Sequence, residues 1–149
     1  MNALEELERF QTDRKLHEKP FDKTVCTMNI VEELFELHGV NDSDTRILAR
    51  YITDRIELIT RDLKDGFTID GCTYEEPTVE DEVDALCDIQ VLAGGDINKL
   101  RYSNEKCLLE VGKEINSRTG EIIDGKFQKY KTPEAMAKWY KADFSSCKM

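Results

Sequence analysis

The chain has 149 residues, 40% of them hydrophobic and 35% charged, with three prolines, eight glycines and a formal net charge of −10. That length and hydrophobic share suit one domain with its own core and exclude a disordered chain. The acidity excludes a docked nucleic-acid polymer, whose phosphate backbone needs clustered Lys and Arg, but not a mononucleotide bridged by divalent cations.

No apolar run approaches the roughly 20 residues needed to span a bilayer. The acidic start, Met1-Asn2-Ala3-Leu4-Glu5-Glu6, lacks the basic-then-apolar pattern of a secretory signal. The expectation is a cytoplasmic protein without a membrane partner. Five dispersed cysteines, Cys26, Cys72, Cys87, Cys107 and Cys147, make neither a disulfide framework nor a zinc site. Cys87 and Cys107 lie in apolar helical patterns and read as small core hydrophobes.

In chain order, Leu4, Leu7, Phe10 and Leu16 recur at helical spacing before Pro20, predicting a first helix over 2–18. A second runs from an Asp22 cap to His38, stopped by Gly39. The cluster Asn41-Asp42-Ser43-Asp44 caps a third, with Ile47, Leu48, Tyr51, Ile52, Ile56 and Ile59 as its apolar stripe through to Leu63. Phe67-Thr68-Ile69, Asp70-Gly71 and Cys72-Thr73-Tyr74 read as a two-residue hairpin. The fourth helix starts near Pro77-Thr78 and ends at Gly94-Gly95, and the fifth covers 103–117. Asp124-Gly125 sits between Glu121-Ile122-Ile123 and Lys126-Phe127-Gln128, a second hairpin signal. Pro133 and Ala135–Tyr140 suggest one or two helical turns in the tail. The expected fold is all-α, a bundle of about five helices with two small β-hairpin excursions. It is read as a single domain over 1–149, with 118–149 as its C-terminal hairpin and tail.

Two acidic stripes stand out. On a helical wheel, Glu32, Glu33 and Glu36 fall within about 100°, opposite Ile30, Val31, Leu34, Phe35 and Leu37. Asp81, Asp84 and Asp88 span about 60° of the fourth helix and are flanked by Val83, Leu86, Ile89 and Leu92. Like charges at this spacing repel, and one such cluster is readily a solvated face. The second lies in an apolar stretch, where unpaired charge is costly and calls for a cation. Oxygen donors without His or thiolate select Mg²⁺, with Mn²⁺ as the close substitute. Neither His17 nor His38 has Glu three residues before it, so a di-iron carboxylate motif is excluded.

Glu32-Glu33-x-x-Glu36 followed by Asp81-x-x-Asp84 resembles the MazG-like all-α NTP pyrophosphatase superfamily, whose motifs are Glu-Glu-x-x-Glu and Glu-x-x-Asp. Asp84-Ala-Leu-Cys-Asp88, with the later Glu110–Arg118 and Asp124-Gly125-Lys126 segments, looks most like its phosphoribosyl-ATP pyrophosphohydrolase branch. The resemblance covers about residues 25–130. Asp81 stands where the family has Glu, with Glu80 next to it as a substitute, and the interval between the motifs is long.

The resemblance implies a nucleoside triphosphate pyrophosphohydrolase that cuts between the α- and β-phosphates and releases pyrophosphate. It implies Glu32, Glu33, Glu36, Asp81 and Asp84 as Mg²⁺ ligands, with Glu32 and Glu33 as the catalytic carboxylates. Asp88, Asn116, Arg118, Lys126 and Lys129 become candidates for contact with the nucleotide, and a homo-oligomer, dimer or tetramer, is expected. Trp139 and Tyr140 read first as tail packing, and stacking on a base is the lesser reading. The alternative of another class is a non-catalytic nucleotide- or partner-binding protein of the same fold.

Overall fold

Local capping explains where most helices begin. The Asn2 side chain accepts from the Glu5 amide while the Glu5 carboxylate accepts from Asn2 N–H at 2.8 Å, a capping box that opens α1 (Ala3–Asp13). Asp22 accepts from the Val25 amide and opens α2 (Lys23–Leu37), which ends before Gly39 at φ +89°. α3 (Thr45–Lys64) follows Asp44, Thr78 caps α4 (Val79–Lys99), and Ser103 caps α5 (Asn104–Asn116). Strands β1 (Gly120–Ile123) and β2 (Lys126–Lys129) pair as one hairpin, and Thr132 caps the short α6 (Pro133–Met136). This computed structural model describes residues 1–41, 43–124 and 126–149. The fold is all-α with a small β excursion, as expected. Asp42 of the predicted cap cluster and Gly125 of the predicted turn lie outside the described residues.

Three boundaries differ from the sequence reading. The first helix stops at Asp13, because Lys15 adopts φ +53° and a left-handed residue cannot extend the α ladder; a 3-10 turn follows at Leu16–Glu18. The fourth helix does not stop at Gly94-Gly95 but runs on to Lys99. Gly94 is a contact residue there, since a Cβ would lie 2.7 Å from Asn104 Nδ2. The Asp70-Gly71 turn forms with φ of +50° and +78°, but the hairpin around it is a single bridge between Ile69 and Cys72. Its arms are exposed and bury too little apolar surface to sustain a ladder.

The chain divides into two compact units. The first comprises Met1–Pro20, Thr78–Ile123 and Phe127–Met149. Within it α1 packs on α5, where Gly112 permits close approach: a Cβ there would stand 2.8 Å from Glu6 Cβ. Asn116 Nδ2 donates to Glu6 O at 2.8 Å and Oε2 at 2.9 Å. Arg14 closes the end of α5, donating to Ile115 O at 3.2 Å and Arg118 O at 2.5 Å, with its guanidinium over Phe10. Phe127 meets Phe10 edge-on at 5.4 Å.

The tail is also held in this first unit. Buried Glu110 accepts from Tyr140 Oη, from Asp143 N–H at 3.1 Å and from Lys113 Nζ at 3.1 Å. Ser103 N–H donates to Cys147 O at 2.8 Å and Met149 N–H to Arg101 O at 2.9 Å, so Cys147 is buried beside Cys107. Cys107 is therefore the core thiol expected, whereas Cys87 is exposed. The reason is that only Gly94 of α4 is buried; Val83, Ile89, Val91 and Leu92 are exposed as well.

The second unit comprises Phe21–Pro77 and Asp124–Lys126, built on α2 against α3. Its contact face is not the one the apolar pattern predicts. Ala49 and Thr53, both 0% exposed, are the buried residues of α3, and Met28 and Val31 are buried on α2, while the stripe residues Ile47, Leu48, Tyr51, Ile56 and Ile59 are exposed. Leu34 and Leu37 of α2 are exposed too, and Glu32 is buried. Two helices alone can cover only one face each, and the small residues win because they allow the closer approach. No helix among the described residues is long and apolar enough to cross a membrane.

Candidate functional site

Glu32, Glu33 and Glu36 lie on α2, and the second unit brings two cations to Glu32. Glu32 is 8% exposed, and its carboxylate accepts from Lys126 Nζ. Arg46, in the first turn of α3, stands 3.7 Å from the same carboxylate oxygen. Arg46 also donates through Nη1 to Asn29 Oδ1 at 2.7 Å and through Nη2 to Asp124 O at 2.7 Å. One guanidinium thus ties α2, α3 and Asp124 together, the planar fork suiting several acceptors at once.

The sequence reading missed Arg46 and Asn29. The signals were present: an arginine in a first turn opposes the helix dipole unless it has acidic or carbonyl partners, and Asn29 shares the wheel face of Glu33 and Glu36.

Glu33 and Glu36 behave as a pair. Desolvation pushes the Glu33 carboxyl above its ordinary value, the Glu36 charge and a hydrogen bond between the two side chains add to this, and Lys126 partly opposes it. Two carboxyl groups in contact either share a proton or hold a cation between them. Among the described residues no three His, Cys, Asp or Glu side chains gather to hold a metal. The pair still fits Mg²⁺ or Mn²⁺ by its donor chemistry, because Mg²⁺ is commonly held by one or two carboxylates plus water and substrate phosphate. Glu32 is the poorest candidate ligand of the three, being already engaged by two cations.

The other candidates belong to the first unit. Asp81 is the fourth residue of a capping box: its Oδ2 accepts from Thr78 N–H at 2.8 Å and Thr78 Oγ1 from Asp81 N–H at 3.1 Å. Those bonds hold the Asp81 carboxyl below its usual range. Asp84 and Asp88 are exposed along α4, as are the flanking Val83, Ile89 and Leu92, while Leu86 is half-buried. The expectation that this stripe is enclosed by apolar side chains does not hold within its unit, because α4 is packed only around Gly94.

Asn116 is engaged by Glu6. Arg118 pairs with Glu114 at 3.2 Å and lies over the Trp139 ring, where the Lys129 ammonium also sits, 5.1 Å from the centroid. Trp139 and Tyr140 therefore pack the tail, through Arg118 and Lys129 and through Glu110 respectively.

Of the residues singled out in the sequence, the structure brings together Glu32, Glu33, Glu36 and Lys126 in the second unit. It brings together Arg118 and Lys129 in the first. No family model matches the chain, and neither the curated proteins nor the solved structures provide a match.

Proposed function

We propose that the chain is a Mg²⁺-dependent nucleoside triphosphate pyrophosphohydrolase, similar to the MazG-like enzymes. The observation that carries the reading is the contact of Lys126 with Glu32, which unites the first acidic motif with the Asp-Gly-Lys segment. A carboxyl pair next to a glutamate that already holds two cations supports the reading, because a metal-bridged polyphosphate requires acid for the cation and base for the phosphate oxygens.

In this reading Glu33 and Glu36 bind the divalent ion. The ion, when bound, would neutralise phosphate oxygens and make an attacking water more acidic. Glu33 takes the water proton as the water oxygen bonds to Pα and the Pα–O bond to the β-phosphate breaks, so that pyrophosphate leaves. Lys126 donates to the phosphate chain. Glu32, engaged by Lys126 and Arg46, orients Lys126 rather than activating water. Self-association in the cytoplasm belongs to the same reading, supported by the exposed apolar residues Leu34, Leu37, Tyr51, Val83, Val91 and Leu92.

The test is incubation with a panel of nucleoside triphosphates and Mg²⁺, reading pyrophosphate. Release from at least one nucleotide is expected, falling by roughly 100-fold or more in Glu33→Gln. No release from any nucleotide would end the enzymatic reading in favour of a non-catalytic nucleotide-binding protein.

A further inference from the structure

Two of the five thiols meet in the first unit. Cys107 sits in the first turn of α5 and is 7% exposed, while Cys147 ends a 3-10 turn, Phe144–Cys147, and is 1% exposed. Ser103 positions both: its N–H donates to Cys147 O at 2.8 Å, and its carbonyl accepts from Cys107 N–H at 3.0 Å. The neighbouring backbone is pinned as well, by a bridge between Tyr102 and Lys148 and by Met149 N–H donating to Arg101 O at 2.9 Å. The two side chains hydrogen-bond to each other, and the Cys147 thiol also reaches Asp143 O at 3.7 Å. Cys26, Cys72 and Cys87 stand on other elements, in α2, at the Asp70-Gly71 turn and in α4.

We propose that Cys107 and Cys147 are a reversible disulfide-forming pair, which fastens residues 140–149 to the start of α5 when a low-molecular-weight disulfide is in excess. With the segment docked, both thiols are covered and stay protonated, so the first step takes place when it undocks. The Cys147 thiol loses its proton to solvent and attacks one sulfur of the small disulfide, forming a mixed disulfide and expelling one small thiolate. Redocking brings Cys107 back to it; the Cys107 thiolate attacks the Cys147 sulfur and expels the second. Two protein thiols are thereby oxidised and one small disulfide is reduced to two thiols. Glu110, three residues along α5 from Cys107, holds the same segment through Tyr140 and Asp143, but only while its carboxyl is ionised. The disulfide adds a hold that does not depend on pH. Nothing in this fastening requires a nucleotide or a metal.

The experiment incubates the folded chain with mixtures of oxidised and reduced glutathione, without denaturant, and maps disulfides by peptide mass spectrometry while circular dichroism verifies the helices. A Cys107–Cys147 link is expected, with a loss of about 2 Da from the intact chain, and excess reduced glutathione should reverse it. The variant carrying Cys26→Ser, Cys72→Ser and Cys87→Ser together should form the same link at the same glutathione ratio. Hydrogen exchange then reads the fastening. At a pH acid enough to protonate Glu110, the amides of Ser103, Asp143 and Met149 should exchange about tenfold more slowly, or slower still, in the oxidised chain than in the reduced one. Cys107→Ser and Cys147→Ser, treated identically, should show no such difference.

Glutathione adducts with Cys107 and Cys147 left unjoined, at every ratio that keeps the helices folded, would overturn the pair. So would a Cys107–Cys147 link that forms only in urea, since the pairing would then belong to the unfolded chain. A link that forms in the folded chain but leaves exchange at Ser103 and Asp143 unchanged would overturn the fastening. Each of these outcomes is independent of whether pyrophosphate is released from a nucleotide.

Discussion

The Lys126 ammonium donates to the Glu32 carboxylate, joining positions 94 residues apart in the sequence. This contact brings two segments of opposite charge together on α2.

Glu33 should cost the metal-free protein stability at neutral pH. Its carboxyl is raised above the ordinary value, first by desolvation and then by Glu36. A raised folded-state value means its favourable contribution is complete below the usual carboxylate range and is lost as pH rises through the raised value. In chelator at pH 7, Glu33→Gln should therefore melt about 1–3 °C higher than the unaltered protein. At a pH below the ordinary carboxylate range the difference should vanish, and calorimetry at both pH values would check it. A lower melting temperature for Glu33→Gln at pH 7 would contradict the assignment.

Glu110 should show the opposite sign. Tyr140 Oη, the Asp143 amide and Lys113 hold its carboxyl below the ordinary range. The stabilisation it provides is present above the unfolded-state value and is lost as pH falls through the depressed one. Acidification should release residues 140–149 before the helices melt, seen as loss of amide-exchange protection at Asp143 and Ser103. Glu110→Gln should produce the same local loss already at pH 7.

Gly112→Ala should destabilise by about 1–3 kcal/mol in urea titration, because its new Cβ meets Glu6 Cβ and α1 must shift. Gly95→Ala provides the contrast. Nothing lies within 4 Å of a Cβ at that helical position, so the substitution should stabilise by about 0.5–1 kcal/mol.

Thr78→Ala removes the hydroxyl that caps α4 and should cost about 1 kcal/mol. Asp81 keeps its bond to the Thr78 amide in that variant, so pyrophosphate release should be unchanged. If release falls together with stability, the capping box and the chemistry are not separable at this end of α4.

Helix positions were legible in the sequence because their determinants are local: Asn2, Asp22, Thr78 and Ser103 each cap the helix that follows them. Which helical face packs was not. The large apolar residues of α3 predict a buried stripe, yet the packed face is Ala49 and Thr53, chosen by closeness of approach and not by hydrophobicity. The same applies to the candidate site. Glu32, Glu33 and Glu36 were visible as a stripe, and Lys126 as part of a separate motif, but not their meeting. Arg46, which fixes that meeting, has partners 17 and 78 residues away, beyond the reach of helical periodicity. Asp81 shows the reverse limit, since a carboxylate at the right spacing for a ligand is also at the right spacing for a capping box.

The burial of Cys107 and Cys147, set against the exposure of Cys72 and Cys87, gives the chain a clock of its own. A thiol reagent in excess should consume the two exposed sulfurs at once, half-buried Cys26 after them, and the covered pair only when the end of the chain lifts from the start of α5, and a Cys26→Ser background leaves just the first and last of these waves. The lag between the first wave of modification and the last would then time that lifting directly, without any added label.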